Sequence, residues 1–293
     1  MILTNRLGLP SSIVAAVSRD TYSRGDAHIS VTTLVGPARK RVLEVVHGDK
    51  LTEDVSDRIF ALFGQAVHTV LERSDPDGQT EERLFIERHG WRISGQYDRV
   101  LVVDETCQDY KVSSTYSIKD GAKPEWVAQL NLLKLLLEND GQSIKRLQAV
   151  VILRDWQKSK AQHSNDYPQA PVEIIEVPVW PAKQTETYIL DRLRAHANAQ
   201  HVLPLCSPEE RWERPAKFAV MKDGNKRATS LHDTRTAADA AQSELQAEAR
   251  KGAAYYVDER PAEQVRCRDY CPARPVCQQA DELMRAVRVN FAA

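Results

Sequence analysis

A short aliphatic run flanked by two aspartates constrains the fold of this chain more than any other feature. Residues 100–103 read Val-Leu-Val-Val, which is typical of a β-strand, and residues 104–106 read Asp-Glu-Thr, which favours a turn. The chain then returns, and two antiparallel strands would bring Asp98 and Asp109 side by side, about 5 Å apart. Lys111 lies two residues beyond Asp109 and therefore projects from the same face of its strand.

The predicted pair of carboxylates needs a cation. Two carboxylates that close raise each other's pKa unless a positive charge lies between them. A divalent ion held by Asp98 and Asp109, with Lys111 beside it, is equipment for hydrolysing a phosphodiester. An Asp-x-Lys triplet by itself is more often a solvated strand face, so a functional interpretation needs support from other motifs in the chain.

The composition is that of an ordinary globular protein with room for one large core, or a core and an accessory module. The chain has 293 residues, a formal net charge of −1 and 28% charged residues. Because there is no overall basic field, any contact with DNA has to come from a local groove. No stretch approaches the ~20 apolar residues of a membrane span, and no cationic run precedes the first apolar residues, so we expect a cytoplasmic protein.

Five cysteines are too few for a disulfide scaffold, but their positions indicate a metal centre. Cys267, Cys271 and Cys277 crowd into eleven residues that also contain two prolines, and Cys206 is the natural fourth ligand. Four thiolates suit an iron–sulfur cluster or a structural zinc ion. The alternative is that these cysteines are buried or idle. Cys107 is predicted to pack as a small hydrophobe within its strand.

Hydrophobic periodicity and turn signals predict alternating helices and strands. Helices are predicted at 52–73, 124–140, 182–201 and 234–250, and strands at 82–89, 91–103, 107–113, 147–153, 172–179 and 254–257. Residues 157–169 are predicted to form a loop, and Asp223-Gly224 to form a hairpin turn. The first of these helices carries Gly64 and His68, four residues apart on one face. Gly64 is predicted to permit a close backbone approach, because glycine within a helix otherwise costs ~1 kcal/mol.

Four short motifs, in this order and followed by a cysteine cluster, resemble the PD-(D/E)XK nuclease superfamily. The resemblance is to its RecB-type branch, which includes CRISPR-associated exonucleases and phage-encoded relatives with an iron–sulfur cluster. The motifs are Gly64-xxx-His68, Gly95-xx-Asp98, Asp109-x-Lys111 and Gln129.

This resemblance implies a divalent-metal site. Asp98, Asp109 and the main-chain carbonyl of Tyr110 would ligate Mg²⁺ or Mn²⁺, since hard cations prefer oxygen. His68 would add an imidazole ligand, which favours tolerance of Mn²⁺.

The resemblance also assigns roles to two polar side chains and to the cysteines. Lys111 would orient the attacking water and stabilise negative charge on the phosphate, and Gln129 would position the lysine, the water or the phosphate by hydrogen bonding. Cys206, Cys267, Cys271 and Cys277 would hold a [4Fe-4S] cluster, with structural Zn²⁺ as the alternative.

The implied fold is of the α/β (α+β) class, a restriction-endonuclease-like core with a mixed central sheet flanked by helices. We expect an N-terminal segment at residues 1–50 that packs on the core, the nuclease core at 51–205, and an accessory module with the cysteine cluster at 206–293.

The implied function is a metal-dependent DNA nuclease, an exonuclease that acts on DNA ends or single strands in recombination or repair. It would work in a bacterial cell, be phage-encoded in origin, and have recombination or repair proteins as partners. The alternatives are a catalytically inactive DNA-binding module, an RNase of the same fold, and a cysteine-ligated zinc protein without nuclease activity.

Cations interleaved with aromatic residues follow the predicted strand at 147–153 and indicate a path for single-stranded DNA. In the alternative interpretation this segment is a solvated loop whose tryptophan packs into the core. The residues are Arg154, Trp156, Lys158, Lys160 and Tyr167.

Overall fold

The computed structural model describes residues 1–19, 24–74, 79–80, 82–249 and 252–290, with the backbone alone for residues 286–290. The chain divides into two compact units, Met1–Pro204 and Leu205–Ala293. None of the helices in the described part of the chain is long and apolar enough to cross a membrane.

The first unit combines helices with mainly short strands. Its helices are α1 (Ser11–Ser18), α2 (Val31–Val35), α3 (Ala38–His47), α4 (Ile59–Ser74), α5 (Pro124–Asn139), α6 (Lys158–His163) and α7 (Ala182–Asn198). Its strands are β1 (Ile2–Thr4), β2 (Ile29–Ser30), β3 (Thr52–Asp54), β4 (Gln79–Thr80), β5 (Arg83–Arg88), β6 (Trp91–Gln96), β7 (Arg99–Leu101), β8 (Thr106–Ser113), β9 (Arg146–Leu153) and β10 (Val172–Val177).

A mixed five-stranded sheet in the order β10-β9-β8-β7-β4 forms the centre of this unit. β8 and β9 run parallel, whereas β7 pairs with β8, and β10 with β9, in antiparallel fashion. The apolar run of β9 is buried at almost every position, as expected for a central strand covered on both faces. The mixed sheet flanked by helices confirms the predicted fold class.

A second sheet, in the order β2-β6-β5, lies against α5. Helix α5 begins with Pro124 in its first turn, as predicted, and buries half of its side chains, including Leu130, Leu133 and Leu137. The leucines of α5 share one core with Ile93 of β6. This packing fixes the position of Gln129, which lies on the same helix.

Gly95 of β6 is required for the close approach of α5. A Cβ atom at this position would lie 2.7 Å from Leu133 Cδ2 and 3.1 Å from both Leu136 Cδ2 and Val31 Cγ2. All three side chains are buried, so none of them can move aside freely. The glycine of the Gly95-xx-Asp98 motif therefore sets the spacing between the strand and the helix.

Gly95→Ala is expected to destabilise the first unit by about 1–3 kcal/mol, because the added methyl group overpacks a filled core. For a unit of this size the melting temperature should fall by roughly 2–10 °C, measured by thermal denaturation. Gly64→Ala is the matched control and should keep or raise the melting temperature. A Gly95→Ala protein as stable as the wild type would contradict the packing role.

Gly64 corrects one sequence-based expectation. We predicted that it permits a close backbone approach, but a Cβ atom at this position would meet no atom of the described residues within 4 Å. Gly64 lies within α4, a helix that buries none of its described side chains completely. The space beside this glycine is therefore open.

The structure changes three predicted elements, in each case for a local reason. The strand predicted at 91–103 is two strands, because the chain leaves the ladder at Tyr97 and Asp98, and Val103 is 96% exposed in a turn. The helix predicted from residue 52 begins at Ile59, since residues 52–54 pair in parallel with β1 and Asp54 caps a 3₁₀ turn at Val55–Arg58. The loop predicted at 157–169 contains the short helix α6.

The second unit contains small sheets and two longer helices. Its elements are β11 (Glu213–Arg214), β12 (Lys217–Lys222), β13 (Ser230–His232), α8 (Arg235–Ala247), β14 (Tyr255–Arg260), β15 (Glu263–Gln264) and α9 (Gln278–Asn290). β12 is the central strand of an antiparallel sheet, and α8 packs on it. The predicted turn is present, with Gly224 at φ 77°, but it opens a longer connection between β12 and β13.

Candidate active site

The β7–β8 hairpin brings the two aspartates together. Arg99 is paired with Gln108, so Asp98 lies opposite Asp109 at the next position beyond the ladder. Asp109 and Lys111 occupy the middle of β8, where β9 pairs with the strand on its other side. The central strands therefore hold the acid and the lysine on a rigid part of the sheet.

Asp98 is engaged by β8 and by α4. Its Oδ2 accepts a hydrogen bond of 2.6 Å from the Tyr110 backbone amide, and its Oδ1 lies 3.3 Å from His68 Nδ1. His68 Nε2 lies 3.2 Å from the Tyr110 carbonyl oxygen. Because both ring nitrogens face acceptor oxygens, the charged imidazole is favoured. The hydrogen bond to Asp98 raises the pKa of His68, and this effect outweighs the opposing effect of burial.

Asp109 is only 1% exposed and is joined to Lys111 and Gln129. Its Oδ1 accepts a hydrogen bond of 3.2 Å from Gln129 Nε2, and its Oδ2 lies 2.5 Å from Lys111 Nζ. Lys111 Nζ also donates to Gln129 Oε1 at 3.2 Å. Gln129 therefore bridges the acid and the lysine, and the three side chains form a closed triangle.

Burial and charge act in opposite directions on this triangle. Burial raises the pKa of Asp109 to about 6, and Asp98 adds to this, although Lys111 opposes it. For Lys111, burial would lower the pKa, but the carboxylates of Asp109 and Asp98 outweigh it and keep the pKa above its ordinary value. The lysine is thus held in its charged form by the two acids.

The oxygen donors fit a hard divalent cation. Asp98, Asp109 and the Tyr110 carbonyl lie on adjacent segments, and the buried Asp109 Oδ2 is in contact with Lys111 Nζ. In the described ranges, no group of three or more His, Cys, Asp or Glu side chains is arranged to hold a metal ion. Asp98 faces His68, and Asp109 faces Lys111. A metal ion at this place would need the Tyr110 carbonyl as a further donor.

Lys123 and Glu125 lie beside the site and were not singled out from the sequence. Both are at the start of α5, and the charge of Glu125 acts on Lys111. Burial lowers the pKa of Lys123; Glu125 opposes this shift, whereas Arg154 and Lys111 add to it. Lys111 and Arg154 are therefore close enough to Lys123 to act on its charge. The position of Lys123 and Glu125 in the sequence could have identified them, since Lys123 directly precedes the helix that carries Gln129.

The predicted DNA-binding residues after β9 have different environments. The Arg154 guanidinium stands over the Phe60 ring at 4.2 Å, and Lys160 Nζ lies 5.8 Å from the centre of the Tyr167 ring. Trp156 packs against the core and donates from Nε1 to the Pro168 carbonyl at 2.7 Å, as the alternative interpretation expected. Lys158 is exposed at the start of α6. Their contacts with DNA remain predictions.

The four predicted cysteine ligands lie near one another within the second unit. Burial, Glu210 and the charges of the other three cysteines raise the pKa of Cys206 to about 12. Burial and the neighbouring thiols Cys271 and Cys277 also raise the pKa of Cys267. Gln279 anchors Cys206, since it accepts from the Cys206 amide at 2.8 Å and donates to its carbonyl at 3.0 Å. Cys107 is buried in the core of the first unit, as predicted.

Comparison with known proteins places this architecture in a family. Residues 76–278 match the model of the PD-(D/E)XK nuclease superfamily, and the chain therefore belongs to that superfamily. Its members are nucleases, hydrolases that typically use Mg²⁺ or Mn²⁺. No curated protein sequence matches the chain.

Solved structures show partial similarity. The crystal structure of SSO0001 is 18% identical with a TM-score of 0.44, over 68% of this chain and 87% of that one. The phage related exonuclease from Haemophilus somnus 129PT is 11% identical with a TM-score of 0.35, over 57% of this chain and 91% of that one.

Proposed function

We propose that this protein is a Mg²⁺- or Mn²⁺-dependent DNA exonuclease that acts on ends or single strands during recombination or repair. The observation that carries the proposal is the closed triangle of Asp109, Lys111 and Gln129 next to Asp98. A buried carboxylate held by a lysine and a glutamine, with a second carboxylate alongside, is suited to binding a cation and a phosphate together.

The roles follow from the contacts of each side chain. Asp98, Asp109 and the Tyr110 carbonyl would hold the metal, with His68 as a further ligand. When bound, the metal would lower the pKa of a water and offset negative charge on the phosphate. Lys111 stabilises charge on the phosphate oxygens, and Gln129 is a positioning residue that keeps Lys111 beside Asp109.

Cleavage of labelled DNA tests this proposal. Linear single-stranded and duplex DNA, closed circular single-stranded DNA and RNA would be incubated with the protein and Mn²⁺ or Mg²⁺. We expect metal-dependent release of short products from linear DNA and no cleavage of the circle. Cutting of the circle at a similar rate would show an endonuclease, preference for RNA would show a ribonuclease, and no cleavage of any substrate would defeat the proposal.

We further propose that Cys206, Cys267, Cys271 and Cys277 hold a [4Fe-4S] cluster, with Zn²⁺ as the alternative. The other three cysteines add to the effect of burial in raising the pKa of Cys206, and Cys271 and Cys277 do the same for Cys267; binding of a metal would offset the charge of the thiolates. The donor set consists of sulfur alone, which suits both centres. Such a centre would tie the segment after β15 to the segment before β11.

Cys271→Ser is expected to lower the bound metal from about one centre per chain to none, and to destabilise the second unit, because ligand loss removes metal-linked folding energy. Iron and zinc analysis and visible absorbance of anaerobically purified protein would measure this. Cys107→Ala is the matched control and should retain the metal. Wild-type protein without iron or zinc, or full metal content in Cys271→Ser, would exclude the proposed centre.

A further inference from the structure

Helix α4 presents a stripe of three residues that leads away from the active site. Phe60, Gly64 and His68 are spaced four residues apart and therefore lie along one face of the helix. His68 is the end of this stripe that contacts Asp98 and Tyr110. Eight residues of helix separate His68 from Phe60, a distance of about 12 Å. The stripe thus starts at the candidate metal ligands and ends at an aromatic ring.

The far end of the stripe is an exposed aromatic ring paired with a cation. Phe60 is 60% exposed, so its ring is not part of the core. The Arg154 guanidinium stands 4.2 Å from the centre of this ring. Among the described residues the guanidinium of Arg154 has no carboxylate or hydrogen-bond partner, and its backbone amide donates to Ser113 at the end of β8. The backbone of Arg154 is therefore held at the end of β8, beside a residue two positions after Lys111.

Between the two ends the surface is open. A Cβ atom on Gly64 would meet no atom of the described residues within 4 Å, so the surface of α4 is recessed at this point. The exposed ring, the recess and the cation have no evident role in the stability of the first unit. An exposed phenylalanine leaves apolar area in water, and glycine within a helix costs about 1 kcal/mol relative to alanine.

The charge around the stripe indicates which kind of ligand would bind along it. Arg154 and Lys111 both act electrostatically on Lys123, so positive charge extends from the active site toward Phe60. A ligand that carries a negative charge on every unit and a flat π surface on every unit is an unpaired nucleic-acid strand. Inside a duplex each base pair is covered on both faces by its neighbours and presents no free face to the ring.

We propose that Phe60 and Arg154 form a stacking platform for an unpaired nucleotide of the substrate strand. The strand passes over Gly64, one of its bases stacks on the exposed side of Phe60, and Arg154 binds the adjacent phosphate. The 12 Å between Phe60 and His68 spans roughly three or four stacked nucleotides, and fewer of a stretched strand. This inference rests on the proposed nuclease function, because it takes the scissile phosphate to lie at Asp98 and Asp109.

Binding to DNA that lacks single bases tests the platform. Fluorescence anisotropy would measure the affinity of a single-stranded oligonucleotide with Ca²⁺ in place of Mg²⁺, so that the strand is not cut. One base at a time would be removed at the first five positions from the end. For the wild type we expect one abasic position to weaken binding by about ten-fold, the usual effect of one stacked base. In Phe60→Ala the intact strand should bind about ten-fold more weakly, and the abasic position should have no further effect.

Three further variants sharpen the test. Phe60→Trp should keep the abasic effect, because it retains an aromatic face. Gly64→Leu should fill the recess and weaken single-strand binding while the protein remains folded, since leucine is a good helix former. Val70→Ala is the matched control, because Val70 is 62% exposed on the same helix, and it should bind like the wild type.

Failure of the platform and failure of the nuclease function have different signatures. If Phe60→Ala binds every strand like the wild type, or if its abasic profile is unchanged, the platform is overturned whether or not the protein cuts DNA. If no DNA is cut but the abasic profile depends on Phe60, the platform stands as a binding site and the nuclease function fails. Equal weakening of single-stranded DNA and of closed circular duplex DNA by Phe60→Ala would also overturn the platform, since a duplex without ends has no free base face to stack on the ring.

Discussion

Asp109→Asn is expected to lower the rate of DNA cleavage by about 10³-fold or more, equivalent to ~4 kcal/mol of transition-state stabilisation. The substitution keeps the shape of the side chain but removes the negative charge that a divalent cation requires. Asp109 is the most buried member of the site. The measurement is the initial rate of product release from end-labelled DNA at saturating Mn²⁺.

The control for Asp109→Asn is Asp120→Asn, which makes the same chemical change at an exposed aspartate of the same unit. It should cleave DNA at the wild-type rate. Thermal denaturation of both variants separates a loss of chemistry from a loss of fold. Cleavage by folded Asp109→Asn within about ten-fold of the wild-type rate would remove Asp109 from the proposed metal site.

Lys111→Met is expected to lower cleavage by about 10²- to 10³-fold, because one preorganised charge near the phosphate is lost. It should also destabilise the first unit by several kcal/mol, on the order of the ~3–5 kcal/mol found when one partner of a buried ion pair is removed. The carboxylate of Asp109 would then be buried without its nearest cation. Rates on labelled DNA and thermal denaturation measure the two effects.

The double variant Asp109→Asn/Lys111→Met distinguishes the two roles of the lysine. Since both charges of the pair are gone, much of the stability lost in Lys111→Met should return, whereas cleavage should stay absent. Lys119→Met, at an exposed lysine of the same unit, is the control and should match the wild type in both measurements. A double variant no more stable than Lys111→Met would show that the ion pair does not account for the stability of this region.

Local sequence patterns were sufficient for the centre of the site. The period of two along β8 places Asp109 and Lys111 on one face, and the turn after residue 101 sets the register that puts Asp98 opposite Asp109. Pro124 marked the start of α5. Strand alternation and turn chemistry act over a few residues, so these features are encoded where they occur.

Contacts between residues distant in sequence were predicted less well from the sequence. The sequence placed Gly64 in a helix but gave it a close contact that the structure does not contain. The start of α4 was displaced because residues 52–54 pair with β1 at the other end of the first fifty residues. The periodicity of a segment does not predict such pairing, because the partner strand is distant in sequence.

The sequence by itself was enough to propose which residues carry the chemistry: two aspartates, one lysine, one histidine, one glutamine, and four cysteines in a suitable order. Only the tertiary structure decided how they meet. Gln129 joins Asp109 to Lys111 because Gly95 lets α5 pack closely on β6. Phe60 meets Arg154 across 94 positions of chain because α4 lies on β8 beside the end of β9. Such contacts follow from the packing of whole elements around a shared core, which no local stretch of sequence specifies.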